Sequence, residues 1–416
     1  MQGWREPGWP NDITNRAVQI VTFVGVLSAL AAVWWACSVA VLFLSVSAAL
    51  VHPARKRAVR RAGELPPLTA IAPIKDLHAG FEEALHSLFA QAYDGMEIVV
   101  ASAERESPAI EAARQIQKDF PRVPSRLLQS RLDRAASPKL NSLWPAIVDA
   151  RYDHILTKDS NLALEARELE DLVYHLGADV GLVSSLPIAV RPESFPAWIE
   201  ASIINCYHAR VLLMGRAAGF GFGLGKVMLF RRSDLMRAGG FESLAWALGE
   251  DMALARAVGR LGLRTVLADR FSHQILGRRH FSQVWQRQLR WMVIWRVQLP
   301  AAFVADMGGS ALPTALAGAA GAWIFGFAPA GVAAMTLAIW FALESLLCIA
   351  RGWPISFWSP LAFVGREILT PLLWLRACTT ADVEWGGTLH RVAAEPRFAD
   401  SAHSPAAPLP ARDFDK

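Results

Sequence analysis

HILTKDS, residues 154–160, is a short apolar run that ends in Lys158, Asp159 and Ser160. A run of this length with polar bounds reads as a core strand that delivers an acidic side chain to its carboxyl end. Five further runs have the same character: LTAIAPI (68–74), EIVVASA (97–103), VGLVSSLP (180–187), GKVMLFRR (225–232) and LRTVLADRF (263–271). Helical patterns lie between them. In 80–92, Phe81, Leu85, Leu88 and Phe89 fall at helical spacing, and Ser107-Pro108 opens 107–120 with a cap followed by proline in the first turn. This strand-helix-strand order over 66–279 predicts an α/β domain whose sheet is largely parallel and covered on both faces.

In such sheets ligands bind beyond the carboxyl ends of strands. Glu104 follows EIVVASA, Asp159 ends HILTK, and Glu250-Asp251 follows the loop after Gly239-Gly240. Asp159-Ser160-Asn161 puts two oxygen-bearing side chains two residues apart, suited to a hard divalent cation bridging diphosphate oxygens; an Asx-type turn would use the same residues. Asp251 opens the helical pattern MALARAVGRLG (252–262), either as a first-turn carboxylate favoured by the helix dipole or as a general base. Glu250 is the weaker candidate for the base.

Outside this middle region the 53% hydrophobic content of the 416-residue chain is concentrated at the two ends. Residues 17–51 carry no Asp, Glu, Lys or Arg, which exceeds the roughly 20 apolar residues that span a bilayer as a helix. The run is too long for a signal core, and its basic cluster (Arg55, Lys56, Arg57, Arg60 and Arg61, in a linker 52–65) follows rather than precedes it. Basic flanks stay in the cytoplasm, which places the middle of the chain there. Residues 311–378 hold three further apolar segments (311–330, 331–350 and 354–378). The last contains Arg366 and Glu367, either as a functional ionisable pair in a span or in an interfacial or re-entrant segment. HFSQVWQRQLRWMVIWRVQLP (280–300) reads as an amphipathic helix at a membrane surface. There Arg290-Trp291 serves either as an interfacial anchor or to balance charge on a leaving diphosphate. The flank 1–16 gives no signal, and the Ala-, Pro- and charge-rich tail 391–416 reads as disordered.

The four cysteines have no ligand or disulfide spacing. Basic residues account for the formal charge of +5, but they flank apolar segments, where anionic lipid headgroups are the simpler partner; nucleic acid is not expected.

In this order, the pieces resemble the ceramide glucosyltransferases, a branch of the inverting glycosyltransferases with a GT-A catalytic domain. The resemblance runs from Leu68 to Pro300. It rests on SPKLNSL (137–143), similar to that family's N-P-K-I-N-N-L, on KDSN (158–161) at its second aspartate motif, on GEDMALARA (249–257) at its third, and on RQLRW (287–291), similar to (Q/R)-x-x-R-W. SPAIEAAR (107–114) is similar to the stretch after the family's first aspartate, and WGGTLHR (385–391) resembles a terminal motif of related transferases with no evident physical role.

The resemblance implies a Rossmann-like GT-A domain between N- and C-terminal transmembrane helices. It implies Lys139 and Asn141 near the nucleotide, and Asp159 at the diphosphate and at a divalent cation, Mg or Mn. Asp251 would be the base, and Arg287, Arg290 and Trp291 would contact the leaving diphosphate and the acceptor. His208 and Arg210, in NCYHARVLL (205–213), are similar to a segment associated with the lipid-acceptor pocket. Two positions depart from the pattern. Glu104 stands where the first aspartate recognises the nucleotide base, with Glu106 as a second occupant, and Asn161 replaces the second aspartate of D-x-D, removing an anionic ligand.

The implied activity is transfer of a sugar, with inversion, from a UDP-sugar donor to the hydroxyl of a membrane lipid acceptor, with ceramide favoured. The implied setting is the cytoplasmic face of a bacterial inner membrane crossed several times. A hopanoid, diacylglycerol or polyprenyl phosphate would present a polar group at the same interface. A processive polysaccharide synthase shares (Q/R)-x-x-R-W but needs a tunnel of more helices. An inactive membrane scaffold is the rival from another class.

Overall fold

The structure, a computed structural model, describes residues 11–53, 65–385 and 387–395. The basic cluster of the 52–65 linker, most of the 1–16 flank and the tail beyond 395 lie outside the described residues.

Six strands coincide with the six runs: β1 Leu68–Pro73, β2 Met96–Ser102, β4 His154–Lys158, β6 Val180–Pro192, β7 Val227–Arg231 and β8 Arg264–Gly277. Two more, β3 Ser125–Gln129 and β5 Leu162–Ala163, complete an eight-stranded sheet of order β3-β2-β1-β4-β7-β6-β8-β5. Alternation along the central strands sends Leu68, Ala70, Ile98 and Val100 into one core and Ile71, Val99 and Ala101 into the other. The first core is covered by α2 Phe81–Phe89, α3 Pro108–Asp119 and α5 Glu168–His175. The second is covered by α4 Pro138–Val148, α8 Arg232–Arg237, α9 Glu242–Ala245 and α10 Glu250–Arg260.

The expectation of a largely parallel sheet needs two corrections: β7 runs antiparallel to both of its neighbours, β4 and β6, and β5 runs antiparallel to β8. After β6 the chain makes a helical excursion through α6 Phe195–Ser202, a π-helical turn at Ile203–Ala209 and α7 Arg210–Ala217. It then re-enters the sheet at the end where β6 left it, opposite to the end at which the parallel strands begin. The reversal brings the amino end of β7 beside the carboxyl end of β4, and Asp159 N–H donates to the Lys226 carbonyl at 2.9 Å.

The apolar ends of the chain form a second, helical layer. The first helix, α1 Asn11–Val51, packs on α13 Ala311–Ala322 and α14 Pro329–Arg351. Gly318 and Gly321 let α13 lie directly on Trp35 and Ala32, the small-residue contact that membrane helices use for close approach. Residues 22–51 and 329–351 are long and apolar enough to cross a membrane. Phe23, Leu27, Leu44, Met335 and Ile349 on these helices are exposed, as lipid-facing side chains would be. The expected apolar stretch 311–330 is broken, since α13 ends at Ala322 and a left-handed Gly326 precedes α14. In α15 Ser359–Thr379, Arg366 and Glu367 turn inward. The Arg366 guanidinium pairs with Glu344 at 2.8 Å and with Glu367 at 2.7 Å, all three buried.

The two layers are fused where α1 ends. His52, just beyond it, stacks on Phe271 of β8 (centroids 5.1 Å apart) and contacts the Asp269 carbonyl through Nε2 at 2.9 Å. Its own carbonyl accepts from Arg351 at 3.0 Å. Burial, with Arg216 beside it, pushes the imidazole down to about 4, so it is neutral at ordinary pH.

Candidate active site

Three loops at the carboxyl end of β4 and the helices that follow them converge on Asp159. Ser137 caps α4, with its hydroxyl accepting from Leu140 N–H, and Pro138 occupies the first turn, so Lys139 projects from a fixed helix start. Lys139 Nζ lies 2.7 Å from Asp159 Oδ1 and 3.1 Å from Glu250 Oε1, and it donates to the Gly225 carbonyl. Lys226 Nζ lies 3.0 Å from Asp159 Oδ2. Burial alone would raise the Asp159 carboxyl, but the two ammonium groups hold it down at about 2. The Lys139 ammonium, which burial would discharge, is kept charged by Asp159 and Glu250.

Asp251 sits one step further along. Its Oδ2 accepts from Gly225 N–H at 2.7 Å, and its Oδ1 accepts from Met252 N–H in the first turn of α10. The glycine-rich segment GFGLG (221–225) allows this approach, because a Cβ on Gly223 would strike the Asp251 carbonyl. Burial, reinforced by the Glu250 charge, pushes the Asp251 carboxyl up to about 6. A carboxylate held there is ionised at neutral pH yet basic enough to take a proton in a transition state.

The wall opposite is α11 Phe281–Gln298, carrying the RQLRW element. Trp291 presents its ring to Lys226 Nζ at 5.6 Å and to His208 at 5.9 Å between centroids. Arg287 pairs with fully buried Glu200 at 2.9 Å. Arg290 lies over the Trp385 ring at 4.8 Å and donates to the Glu384 carbonyl at 3.3 Å. Burial and the nearby Arg287 charge lower the Arg290 guanidinium to about 10, still charged at neutral pH, and Glu250 and Asp159 are near enough to act on it.

The structure thus brings together Lys139, Asp159, Asp251, Arg287, Arg290 and Trp291. It places the other candidates differently. Asn141 faces the preceding loop, accepting from Ala135 N–H at 2.8 Å and donating to the Ala135 carbonyl at 2.9 Å, so it shapes the approach of Lys139. Glu104 is exposed on the loop after β2. His208 is half-buried against Trp295 and Trp291, and burial, then Arg366, holds its ring neutral at about 3. Arg210 is fully buried, donating to the Cys206 carbonyl, Ser45 Oγ and the Gly309 carbonyl, 3.8 Å from Glu344 and away from the Asp159 centre.

Sequence reading missed Lys226, whose position depends on the reversal of β7, and Glu200, a lone acidic residue in the apolar FPAWIEAS (195–202). It also missed His78, whose Nε2 lies 2.8 Å from Ser160 Oγ. A lysine between a glycine-rich loop and a buried strand was the one available signal for Lys226.

With both Asp159 oxygens already facing lysines, a cation there would displace one of them and would need the donor's phosphates to complete its shell. Mg²⁺ characteristically binds in that way, through one or two carboxylates plus phosphate. The described residues form a carboxylate–histidine group elsewhere, at Asp171, His175 and Asp269, but Arg216 already pairs with Asp269.

The profile described as "Glycosyl transferase family 21" matches residues 29–398, spanning the sheet, the Asp159 centre, α11 and the membrane helices. The chain belongs to glycosyl transferase family 21. Relatives of this family 21 member include ceramide glucosyltransferase 1 of Caenorhabditis elegans, 23% identical over 352 residues, covering 83% of this chain and 75% of that protein. Ceramide glucosyltransferase 3 of the same animal is 22% identical over 343 residues, covering 80% and 74%. Among solved structures, the mannosyltransferase PcManGT from Pyrobaculum calidifontis, in complex with GDP-Man and Mn²⁺, is similar at 17% identity. It has a TM-score of 0.49 and covers 85% of this chain and 98% of that one. The family 21 chain is a glycosyltransferase with an α/β sheet domain and apolar helices at both ends.

Proposed function

We propose that the chain transfers a hexose, glucose by preference, from a UDP-sugar to the primary hydroxyl of ceramide, inverting the anomeric carbon. The observation that carries this reading is the Asp251 carboxylate, tuned to about 6 beside the Lys139–Asp159–Lys226 cluster. The names of the curated relatives favour ceramide as the acceptor.

Asp251 takes the proton from the attacking hydroxyl while the bond to the diphosphate breaks. Lys139, Lys226, Arg287 and Arg290 receive the charge that develops on the leaving group, fixed donors of the kind that supply the largest share of such catalysis. A divalent cation, Mg²⁺ or Mn²⁺, would be held by Asp159 together with the donor's phosphates and would supply further neutralisation of the diphosphate. Trp291 and His208 wall the acceptor side with apolar, uncharged surface. The helices 22–51 and 329–351 fix the site at a membrane, in our reading the cytoplasmic face of a bacterial inner membrane, where the acceptor's tails stay in the bilayer.

The test is to incubate membranes containing the protein with labelled UDP-glucose and ceramide and to resolve the lipids. Labelled ceramide supports the reading. Label in another lipid would move the acceptor, and no label beside an active control enzyme would overturn it.

A further inference from the structure

The stretch WGGTLHR (385–391) has no part in the chemistry above, yet it belongs to a small two-stranded unit that touches both catalytic helices. Strands β9 Asp382–Trp385 and β10 Thr388–Arg391 pair as an antiparallel hairpin. Its buried Val383 and the following Val392 share a core with Leu248, Val293 and Ile294 of the loop before α10 and of α11. Polar contacts pin it along α11: Gln286 donates to Glu384 Oε2 at 2.8 Å, and Arg296 donates to the Thr380 carbonyl at 2.9 Å. Beyond the hairpin, Glu395 pairs with Arg256 at 2.9 Å and Arg260 at 3.1 Å, both on α10, whose first turn carries Asp251.

Between these fixings the hairpin presents one ring and one carbonyl to Arg290. The guanidinium carbon stands 4.8 Å from the centre of the Trp385 ring, and Nη1 donates to the Glu384 carbonyl. A long arginine side chain has many rotamers, and ordering it costs conformational entropy unless neighbours restrict it. An aromatic face attracts the guanidinium and selects its plane. A backbone carbonyl then fixes one edge, which leaves the remaining N–H groups to meet a ligand.

We propose that Trp385 is a positioning residue for Arg290: the C-terminal hairpin holds the guanidinium in the orientation that receives the leaving diphosphate. The inference rests on the transferase reading above. It requires that Trp385 act through Arg290 and through the π face of its ring, and both requirements can be tested separately.

The experiment uses the full-length protein in lipid nanodiscs, with steady-state transfer from UDP-glucose to ceramide. Trp385→Ala should lower kcat about tenfold, the size of a well-desolvated cation–π contact, with KM for ceramide unchanged. Trp385→Phe should restore most of the rate, whereas Trp385→Leu, which keeps apolar volume but has no π face, should behave as the alanine variant does. Arg290→Ala should fall about 10²–10³-fold, and adding Trp385→Ala to it should cost no more than about twofold further. If the two losses multiply, or if leucine rescues as well as phenylalanine, Trp385 does not act through Arg290 and the inference fails. Transfer by the wild type with Trp385→Ala equally active would overturn the inference alone. No transfer and no UDP-induced thermal stabilisation in the wild type would overturn the transferase reading, and the inference with it.

Discussion

Lys226 Nζ and Asp159 Oδ2 stand 3.0 Å apart across two strands that run in opposite directions. With Lys139 on the other oxygen and Glu250 against Lys139, two ammonium groups are matched by two carboxylates, and each ammonium can turn from its carboxylate to an incoming diphosphate. Replacing Lys226 by methionine keeps most of the stem and removes the charge. We expect kcat/KM for the donor to fall about 10²–10³-fold, with the thermal midpoint of the apo protein shifted little; initial rates over a range of UDP-glucose measure it.

As the proposed base, Asp251 should set the acid limb of the pH–rate profile. Its carboxyl is raised to about 6, so below that pH it carries a proton and can accept none, and the rate should fall tenfold per pH unit. Above about 6 the residue is ionised and the limb is flat. Glu250→Gln removes the neighbouring like charge and should shift the limb to lower pH. Asp251→Asn should lower kcat about 10²–10⁴-fold while UDP still stabilises the protein thermally.

Chelation tests the cation. On the proposed reading Asp159 would hold the cation together with the donor's phosphates, so EDTA should depress transfer, and Mg²⁺ or Mn²⁺ should restore it. Asp159→Asn should raise the metal concentration needed for half-maximal rate. Metal titrations at fixed UDP-glucose decide the point, and a rate indifferent to EDTA would leave the lysines and arginines as the whole electrostatic apparatus.

Within the membrane layer, Glu344 faces Arg366 at 2.8 Å and Arg210 at 3.8 Å with no exposure to solvent. Glu344→Gln leaves buried Arg210 without a carboxylate partner and Arg366 with Glu367 alone, and should destabilise the protein by about 3–5 kcal/mol, read as a lower thermal midpoint in detergent. Arg210→Leu should likewise show in stability, and KM for ceramide among the surviving molecules should stay near that of the wild type. A large rise in KM with unchanged stability would instead put Arg210 in the acceptor pocket.

The fold was legible wherever burial on both faces left a continuous apolar run, as in LTAIAPI and HILTK. Ser125–Gln129 was not, because an edge strand exposes one side and tolerates Arg126 and Gln129. Strand direction was also hidden: nothing in VMLFR states which way β7 enters the sheet, since that depends on where the preceding excursion leaves the chain. Asp159, Asp251 and Lys139 could be found because each stands at an element end, where chemistry and punctuation coincide. Arg210 could be singled out by its local pattern alone. Its buried setting is made by Ser45, Gly309 and Glu344, which are remote in sequence and adjacent only after the helices assemble.

The contacts of His52 bear on how this protein can be handled. Its ring lies on Phe271, and its carbonyl accepts a hydrogen bond from Arg351, so the end of the first helix is part of the interior of the catalytic layer. Amputating that helix would therefore not liberate a water-soluble fragment. It would strip the cover from Phe271 and leave Arg216 without the imidazole it contacts at 3.0 Å. A detergent-free form is better sought by recolouring the outward side chains, Phe23, Leu27 and Leu44 among them, while the helix itself stays in place.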